Sequence, residues 1–239
     1  MFLVMATDFD SLGRDLSGLI DFQTVKNRDV EAFIAPVNGQ DVVFSDAGET
    51  KAEVARNFSV LASCFSPSAI VGVGNAASLQ SNKACIDDVM ISTDAIQYDV
   101  DCSLLGYSIG EIPKFGKSVF YSDDSLVSKA VCTCQKNKYD YSLGRVISAD
   151  RFNSDTSEAN KLRAEFSADF LDMESAVITE LAYMYGLPAV IVKGISNYGN
   201  DDAVRNYNTN RKKANSISLQ AVFAMLQTIN PQSQLRRGY

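Results

Sequence analysis

Histidine is absent from all 239 residues. Acid–base chemistry near neutral pH must therefore come from Asp, Glu, Lys, Tyr or Cys. Ser-His-Asp and Cys-His nucleophile chemistry are excluded, as is His-ligated zinc or haem. Three short polar clusters each follow an apolar run: Gly74-Asn75-Ala76-Ala77, Asp172-Met173-Glu174 and Ser196-Asn197. Between them they hold carboxylates, side-chain amides and a hydroxyl, groups that can grip a polar ligand or move a proton.

The elements that must position these clusters follow from the apolar pattern. Residues 2–6 read as a strand and residues 10–20 as a short helix. The segments 29–36 and 40–45 flank Asn38-Gly39, a two-residue hairpin signal. Thr50-Lys-Ala-Glu53 fits a capping box, with Val54, Phe58, Leu61 and Ala62 following at helical spacing. Ala69–Val73, Asp88–Asp94 and Gly144–Ser148 read as further strands. Glu174–Tyr185 reads as an amphipathic helix ended by Gly186-Leu-Pro188, and Ala189–Ile195 as a near-continuous apolar strand. The last helix is expected over 213–226, with the polar stretch 201–210 before it free to act as a lid. Strands alternating with helices, the central ones apolar on both faces, predict a single α/β domain over 1–229. Its central mixed, twisted sheet lies between helices in three layers. The polar residues 230–239 read as a frayed tail. In such a fold a site forms at the carboxyl ends of strands, where the three clusters fall.

Composition narrows the partners. The chain is 46% hydrophobic and 21% charged, with a net charge of −7 and a pI near 4.7. An acidic chain argues against nucleic acid or an anionic membrane as partner. Five cysteines, an odd number with no CxxC pair, read as plain thiols in a reducing cytoplasm. No apolar run approaches the ~20 residues a membrane helix needs. Met1–Ala6 lacks a basic lead and meets Asp8 and Asp10 at once, so it reads as a buried strand and not a signal peptide.

At the three clusters the chain resembles the 5′-methylthioadenosine/S-adenosylhomocysteine nucleosidases of the purine nucleoside phosphorylase superfamily. Ser45-Asp-Ala-Gly48 is similar to the family's Ser-Gly-Ile-Gly turn, and Val73–Leu79 to its Gly-Ser-Ala-Gly-Gly-Leu loop. Asp88–Pro113 resembles its strand and partner-reaching loop. Ser148-Ala-Asp-Arg-Phe152 resembles Ser-Gly-Asp-x-Phe, Leu171–Ala176 resembles Val-Glu-Met-Glu-x-Ala, and Lys193-Gly-Ile-Ser-Asn197 resembles Arg-x-Ile-Ser-Asp. Each motif alone is weak; their order and spacing carry the resemblance, which runs from about residue 2 to residue 226.

The resemblance implies a nucleoside phosphorylase-like fold and hydrolysis of an N-glycosidic bond, releasing adenine from a 5-thio-substituted ribose. The base must be protonated or hydrogen-bonded at N7 as it leaves, and a water must be held and deprotonated under the anomeric carbon. In the family the Asp of Ile-Ser-Asp serves the base. Here that position is Asn197, beside Ser196, and an amide can donate a hydrogen bond but not deliver a proton. General acid catalysis contributes ~10²–10⁴-fold, so slow or undetectable turnover is expected. Asn197 fits a substrate-trapping variant, a natural member of low or altered activity, or a residue that merely caps the segment after its strand. Glu174 resembles the carboxylate that grips the ribose hydroxyls, or answers a helix dipole. Leu171, Asp172 and Met173 belong to the same substrate-binding motif, Asp172 standing where the family has Glu. The water-activating carboxylate is expected at Asp10, with Asp8 as the alternative.

The resemblance also places Phe152 on the base and the Asn153 backbone at its edge. Asn75, Ala76 and Ala77 would line the ribose, and Tyr207 would lie over the thio-substituent. Leu105, Tyr107 and Pro113 resemble residues that reach into a neighbouring subunit's pocket, implying a homodimer with shared sites. No metal or organic cofactor is implied. The turn 45–49 and the loop 72–79 lack the Arg a phosphorylase uses for phosphate, and Glu49 would repel it, so hydrolysis is favoured. The rival readings are a non-catalytic nucleoside-binding or storage protein on the same fold, and a nucleosidase for another purine nucleoside such as aminodeoxyfutalosine or a nucleotide.

Overall fold

The opening apolar segment forms β1 (Phe2–Ala6), buried along its whole length. Phe2, Val4 and Ala6 enter one apolar core and Leu3 and Met5 another, as the period of two in a strand covered on both faces requires. This computed structural model describes residues 1–27, 30–80 and 82–229, the side chains of residues 9 and 10 excepted. The polar tail from residue 230 lies outside the described residues.

After β1 come α1 (Phe9–Ser17), β2 (Gln23–Asn27), β3 (Val30–Val37), β4 (Gln40–Asp46), α2 (Lys51–Phe65), β5 (Ala69–Val73) and β6 (Asn75–Ser78). There follow β7 (Val89–Gln97), β8 (Phe120–Tyr121), α3 (Asp124–Asn137), β9 (Tyr141–Ser148) and α4 (Thr156–Phe166). The chain closes with β10 (Phe170–Asp172), α5 (Ser175–Tyr185), β11 (Ala189–Asn197) and α6 (Ala203–Thr228).

The described strands form one mixed sheet in the order β2-β3-β4-β1-β5-β11-β6-β10-β9-β7-β8. β11 also pairs antiparallel with β7, so β11, β6, β10, β9 and β7 close into a ring. The expected hairpin is present, with Val37 opposite Gln40 and positive φ at Asn38 and Gly39, as its turn type demands. Thr50 and Glu53 form the expected capping box on α2. One core lies under α1, α3 and α6, built on Leu12, Leu16, Leu126, Val222 and Leu226. The other lies under α2 and α5, built on Val54, Phe58, Leu61, Ile178 and Leu181. The three layers follow.

Two expectations need correction. The last helix does not start near residue 213: α6 begins at Ala203 and takes in most of the stretch 201–210. Ala203 is buried, and Asn210 Nδ2 donates to the Ser196 carbonyl at 3.2 Å, which ties this polar segment to the end of β11. Asn75–Ser78 is not a loop after β5 but the strand β6, made regular by β11 on one side and β10 on the other. β11 and α6 approach closely at Gly194, where a Cβ would come within 2.2 Å of the Ala214 carbonyl oxygen. This contact sets α6 against the end of β11 that carries Ser196 and Asn197.

Candidate active site

The carboxyl ends of β1, β10 and β11 and the start of β6 open on a cavity of about 700 Å³. That volume lies in the range that holds small organic ligands. Asn75, Ala76, Ala77, Phe152, Asn153, Leu171, Asp172, Met173, Glu174, Asn197 and Tyr207 all line it, so the fold gathers nearly every expected site residue. Ser196 stands behind Asn197, fully buried, its Oγ accepting from Asn197 Nδ2 at 3.0 Å. Of the two candidate acids after β1, Asp8 lines the cavity; the side chain of Asp10 lies outside the described residues.

Leu105, Tyr107 and Pro113 lie on the segment between β7 and β8 and do not line this cavity. Leu105 and Pro113 are exposed and Tyr107 is half-buried.

The cavity floor is a buried ionic triad. Lys193 Nζ donates to Asp172 Oδ2 and to Glu174 Oε2, each at 2.7 Å. Burial works against the Lys193 ammonium, but Asp172 and Glu174 outweigh it and hold its pKa above the usual lysine range. Burial pushes Glu174 up to about 7, against the downward pull of Lys193. Asp172 is saturated: it also accepts from Ser148 Oγ at 2.5 Å, from the Ser175 backbone N–H at 3.3 Å and from Ser175 Oγ. It is an anchor for Lys193 and the start of α5. Glu174 is the N-cap of α5 and makes no side-chain capping bond there, so its place at the positive end of the helix dipole stands beside its bond to Lys193.

Asp8 opens α1 in a left-handed conformation and accepts from the Ser11 N–H. Its Oδ2 accepts from Asn215 Nδ2 at 3.2 Å. Asn215 Oδ1 in turn accepts from Asn75 Nδ2 at 2.9 Å, and Asn75 Oδ1 from Ser196 Oγ at 3.1 Å. A single line of side chains thus joins Asn197 to Asp8. Phe152 meets Tyr207 edge to face with ring centroids 5.3 Å apart, leaving an aromatic surface on which a planar base can stack.

Sequence reasoning missed Lys193 and Asn215. Lys193 was visible as the one charge in the apolar run Ala189–Ile195, and a lysine there requires acidic partners. Nothing local marks Asn215. The charge argument also needs correction: Arg14, Arg151, Arg211 and Lys212 line the cavity, although the turn 45–49 and the loop 72–79 carry no Arg. Arg151 is engaged by Glu158. Arg211 lies 5.2 Å from the Tyr207 ring centroid and donates to Asn208 Oδ1. Among the described residues no helix is long and apolar enough to cross a membrane.

A 5′-methylthioadenosine/S-adenosylhomocysteine nucleosidase of Staphylococcus carnosus is 27% identical over 212 residues, covering 88% of this chain and 92% of that protein. Two solved Helicobacter pylori structures share the fold. One is an Asp-to-Asn mutant of the corresponding nucleosidase with 5′-methylthioadenosine in the active site (TM-score 0.90, 19% identity, 95% of this chain and 98% of that one). The other is a futalosine hydrolase (TM-score 0.89, 18% identity, 95% and 97%). A sequence model described as the phosphorylase superfamily matches residues 5–228. With that match spanning nearly its whole length, the chain belongs to the phosphorylase superfamily.

Proposed function

We propose that this chain is an N-glycosyl hydrolase acting on 5′-methylthioadenosine, S-adenosylhomocysteine or a close 5′-substituted adenine nucleoside, with turnover limited by Asn197. The observation that carries the reading is one cavity that combines a buried acceptor for a diol, Glu174, with an amide donor, Asn197, and an aromatic face, Phe152. Glu174 accepts from the ribose hydroxyls, and these bonds strengthen as positive charge grows on the ring. Lys193 holds that carboxylate in place. Asn197 donates to N7 but cannot protonate it. Asp8 is the carboxylate set to take a proton from water, oriented by Asn215. The Staphylococcus carnosus relative's name supports the substrate class. The mutant neighbour supports the view that Asn in such a site is compatible with nucleoside binding.

The exposed apolar segment at Leu104 and Leu105 supports a homodimer in which Leu105, Tyr107 and Pro113 complete the partner's cavity, because a solvated apolar loop gains by being covered. Five cysteines, an odd number with no CxxC pair, support work in the cytoplasm.

Adenine release from 5′-methylthioadenosine, S-adenosylhomocysteine and adenosine, with and without inorganic phosphate, tests the reading. Slow release independent of phosphate supports it. Release that requires phosphate would make the chain a phosphorylase, a reading that Arg14 and Arg211 at the cavity favour. Tight binding with no release, even from Asn197→Asp, would make it a nucleoside-binding protein.

A further inference from the structure

We infer that Arg14, Arg211 and Lys212 form a cationic mouth for the 5′ arm of the nucleoside, and that the chain prefers arms ending in an anion, a carboxylate or a phosphate. The inference rests on the nucleoside reading above and names the chemistry of the substituent that reading leaves open.

Two helices line one side of the cavity. α1 contributes its N-cap Asp8, then Ser11 and Arg14. α6 contributes Tyr207, Asn208, Arg211 and Lys212. Tyr207 and Arg211, like Asn208 and Lys212, are four residues apart and so share a face of α6. Asn215, one turn further on, bonds Asp8, so that face looks across to α1. A ribose held by its diol at Glu174, with its base at Phe152 and Asn197, has one substituent left. This is the 5′ carbon, which leaves the sugar across the ring oxygen from the base. The α1–α6 side is the lining that neither base nor diol takes up. Burial pushes the Tyr207 hydroxyl's pKa up, Arg211 pulls it down, and Glu49, Glu174 and Asp8 add to the rise. That ring is therefore within electrostatic reach of the diol site and of the mouth at once.

Arg14 and Lys212 are exposed and Arg211 is half-buried. Among the described residues no ion pair joins any of the three to an acid. Arg151, the fourth cation of the lining, is taken by Glu158. Arg211 gives one N–H to Asn208 Oδ1 at 2.9 Å and lies over the Tyr207 ring, which holds its guanidinium beside the cavity. Its other N–H groups have no partner among the described residues. Two acids share this side: Asp8, engaged by Asn215 and by the Ser11 N–H, and the exposed Glu49. Glu49 opposes an anion, but the cations are in surplus, and they are so in a chain whose net charge is −7. Guanidinium groups pair with carboxylate and phosphate through charge-assisted hydrogen bonds, and a cleft concentrates the field of the charges at its mouth. An uncharged methylthio arm leaves these donors to water.

The test is equilibrium calorimetry on the whole chain with two matched pairs. One is the 5′-carboxyethylthio analogue of 5′-methylthioadenosine against its carboxamide, which keeps the arm and removes the charge. The other is adenosine 5′-monophosphate against adenosine. The anionic member of at least one pair is expected to bind ~10-fold tighter, with the ratio shrinking as salt is added. The pair that shows it tells a carboxylate on a longer arm from a phosphate on the 5′ carbon itself. Arg14→Gln and Lys212→Gln, both at exposed positions, should each lower the ratio, adding Arg211→Gln should bring it near unity, and Glu49→Gln should raise it. A ratio of one in both pairs overturns the inference, as does a ratio that none of these substitutions moves. Inorganic phosphate that binds alone, and at saturation leaves the affinity of the anionic ligands unchanged, assigns the cations to a separate anion and also overturns it. In each of these cases 5′-methylthioadenosine still binds and only the mouth fails. If neither it nor any of the four ligands binds, the nucleoside reading fails and takes the mouth with it.

Discussion

Lys193 Nζ lies 2.7 Å from Glu174 Oε2, and the two side chains come from the middle of β11 and from the N-cap of α5. The cation is inaccessible to solvent, so its worth is best judged by what its loss would leave behind. Lys193→Met would strand Asp172 and Glu174 side by side without a counter-charge. A buried pair broken at one end costs ~3–5 kcal/mol. The expected result is a lower midpoint in denaturant unfolding near neutral pH with an unchanged slope. The deficit should shrink in acid, where protonation removes the repulsion. A methionine variant as stable as the original at neutral pH would mean that Lys193 does not hold the two acids.

Glu174 gives the site a pH dependence of definite sign. Burial raises its pKa to about 7 from an ordinary 4.5. Below about 7 the group carries a proton and loses acceptor strength toward the ribose diol, so nucleoside binding should tighten as pH rises through 7. Stability runs the other way. A raised acid favours the fold fully below its ordinary pKa, and that contribution is lost as pH climbs from about 4.5 through about 7. Calorimetric affinity and thermal unfolding across this window check both trends. Glu174→Gln should flatten both; an affinity profile that stays steep in that variant assigns the titration to another group.

The reach of sequence pattern is clear at particular residues. β1, β5 and β11 were legible because a strand covered on both faces must be apolar throughout. The hairpin at Asn38-Gly39 and the cap at Thr50 were legible because backbone geometry there depends on local residue type. β6 was not, since Asn75–Ser78 are small residues whose strand character comes from their neighbours across the sheet. α6 was half legible: its second half carries an apolar stripe, while its first half docks through Ala203 and Asn210. In the site, the three polar clusters could be found because each is contiguous. Asn215 could not, because its partners Asn75 and Asp8 lie 140 and 207 residues away, and only the fold brings them together.

The segment that carries Leu104 and Leu105 supplies a test of assembly. Leu104 is fully exposed and Leu105 is 77% exposed, although neither belongs to a polar surface by type. In a homodimer with shared sites, Leu105→Glu should shift the protein toward a monomer in light scattering and weaken nucleoside binding in parallel. A variant that remains dimeric and binds normally would place the interface elsewhere. A chain that is monomeric before substitution would remove the shared site altogether.

Asn197→Asp tests the leaving-group end of the cavity, and the hydrogen-bond line to Asp8 says what to expect. Each link now has one donor: Asn197 Nδ2 to Ser196, Ser196 Oγ to Asn75, Asn75 Nδ2 to Asn215, and Asn215 Nδ2 to Asp8. All point toward the Asp8 carboxylate. An ionised acid at position 197 has no hydrogen to give, so the line would be one donor short. The shortage disappears if the new carboxyl keeps its proton, and the line therefore raises its pKa. A proton held there for the network is also one the departing base can take. Adenine release should rise by ~10²–10⁴-fold over the unaltered chain and fall again as pH increases past the raised pKa. Adding Asn215→Leu breaks the line, lowers that pKa and moves the fall to lower pH, a shift that a general loss of stability would not produce. If Asn197→Asp binds 5′-methylthioadenosine as well as the unaltered chain but releases adenine no faster, Asn197 does not face N7, and the base must lie elsewhere in the cavity.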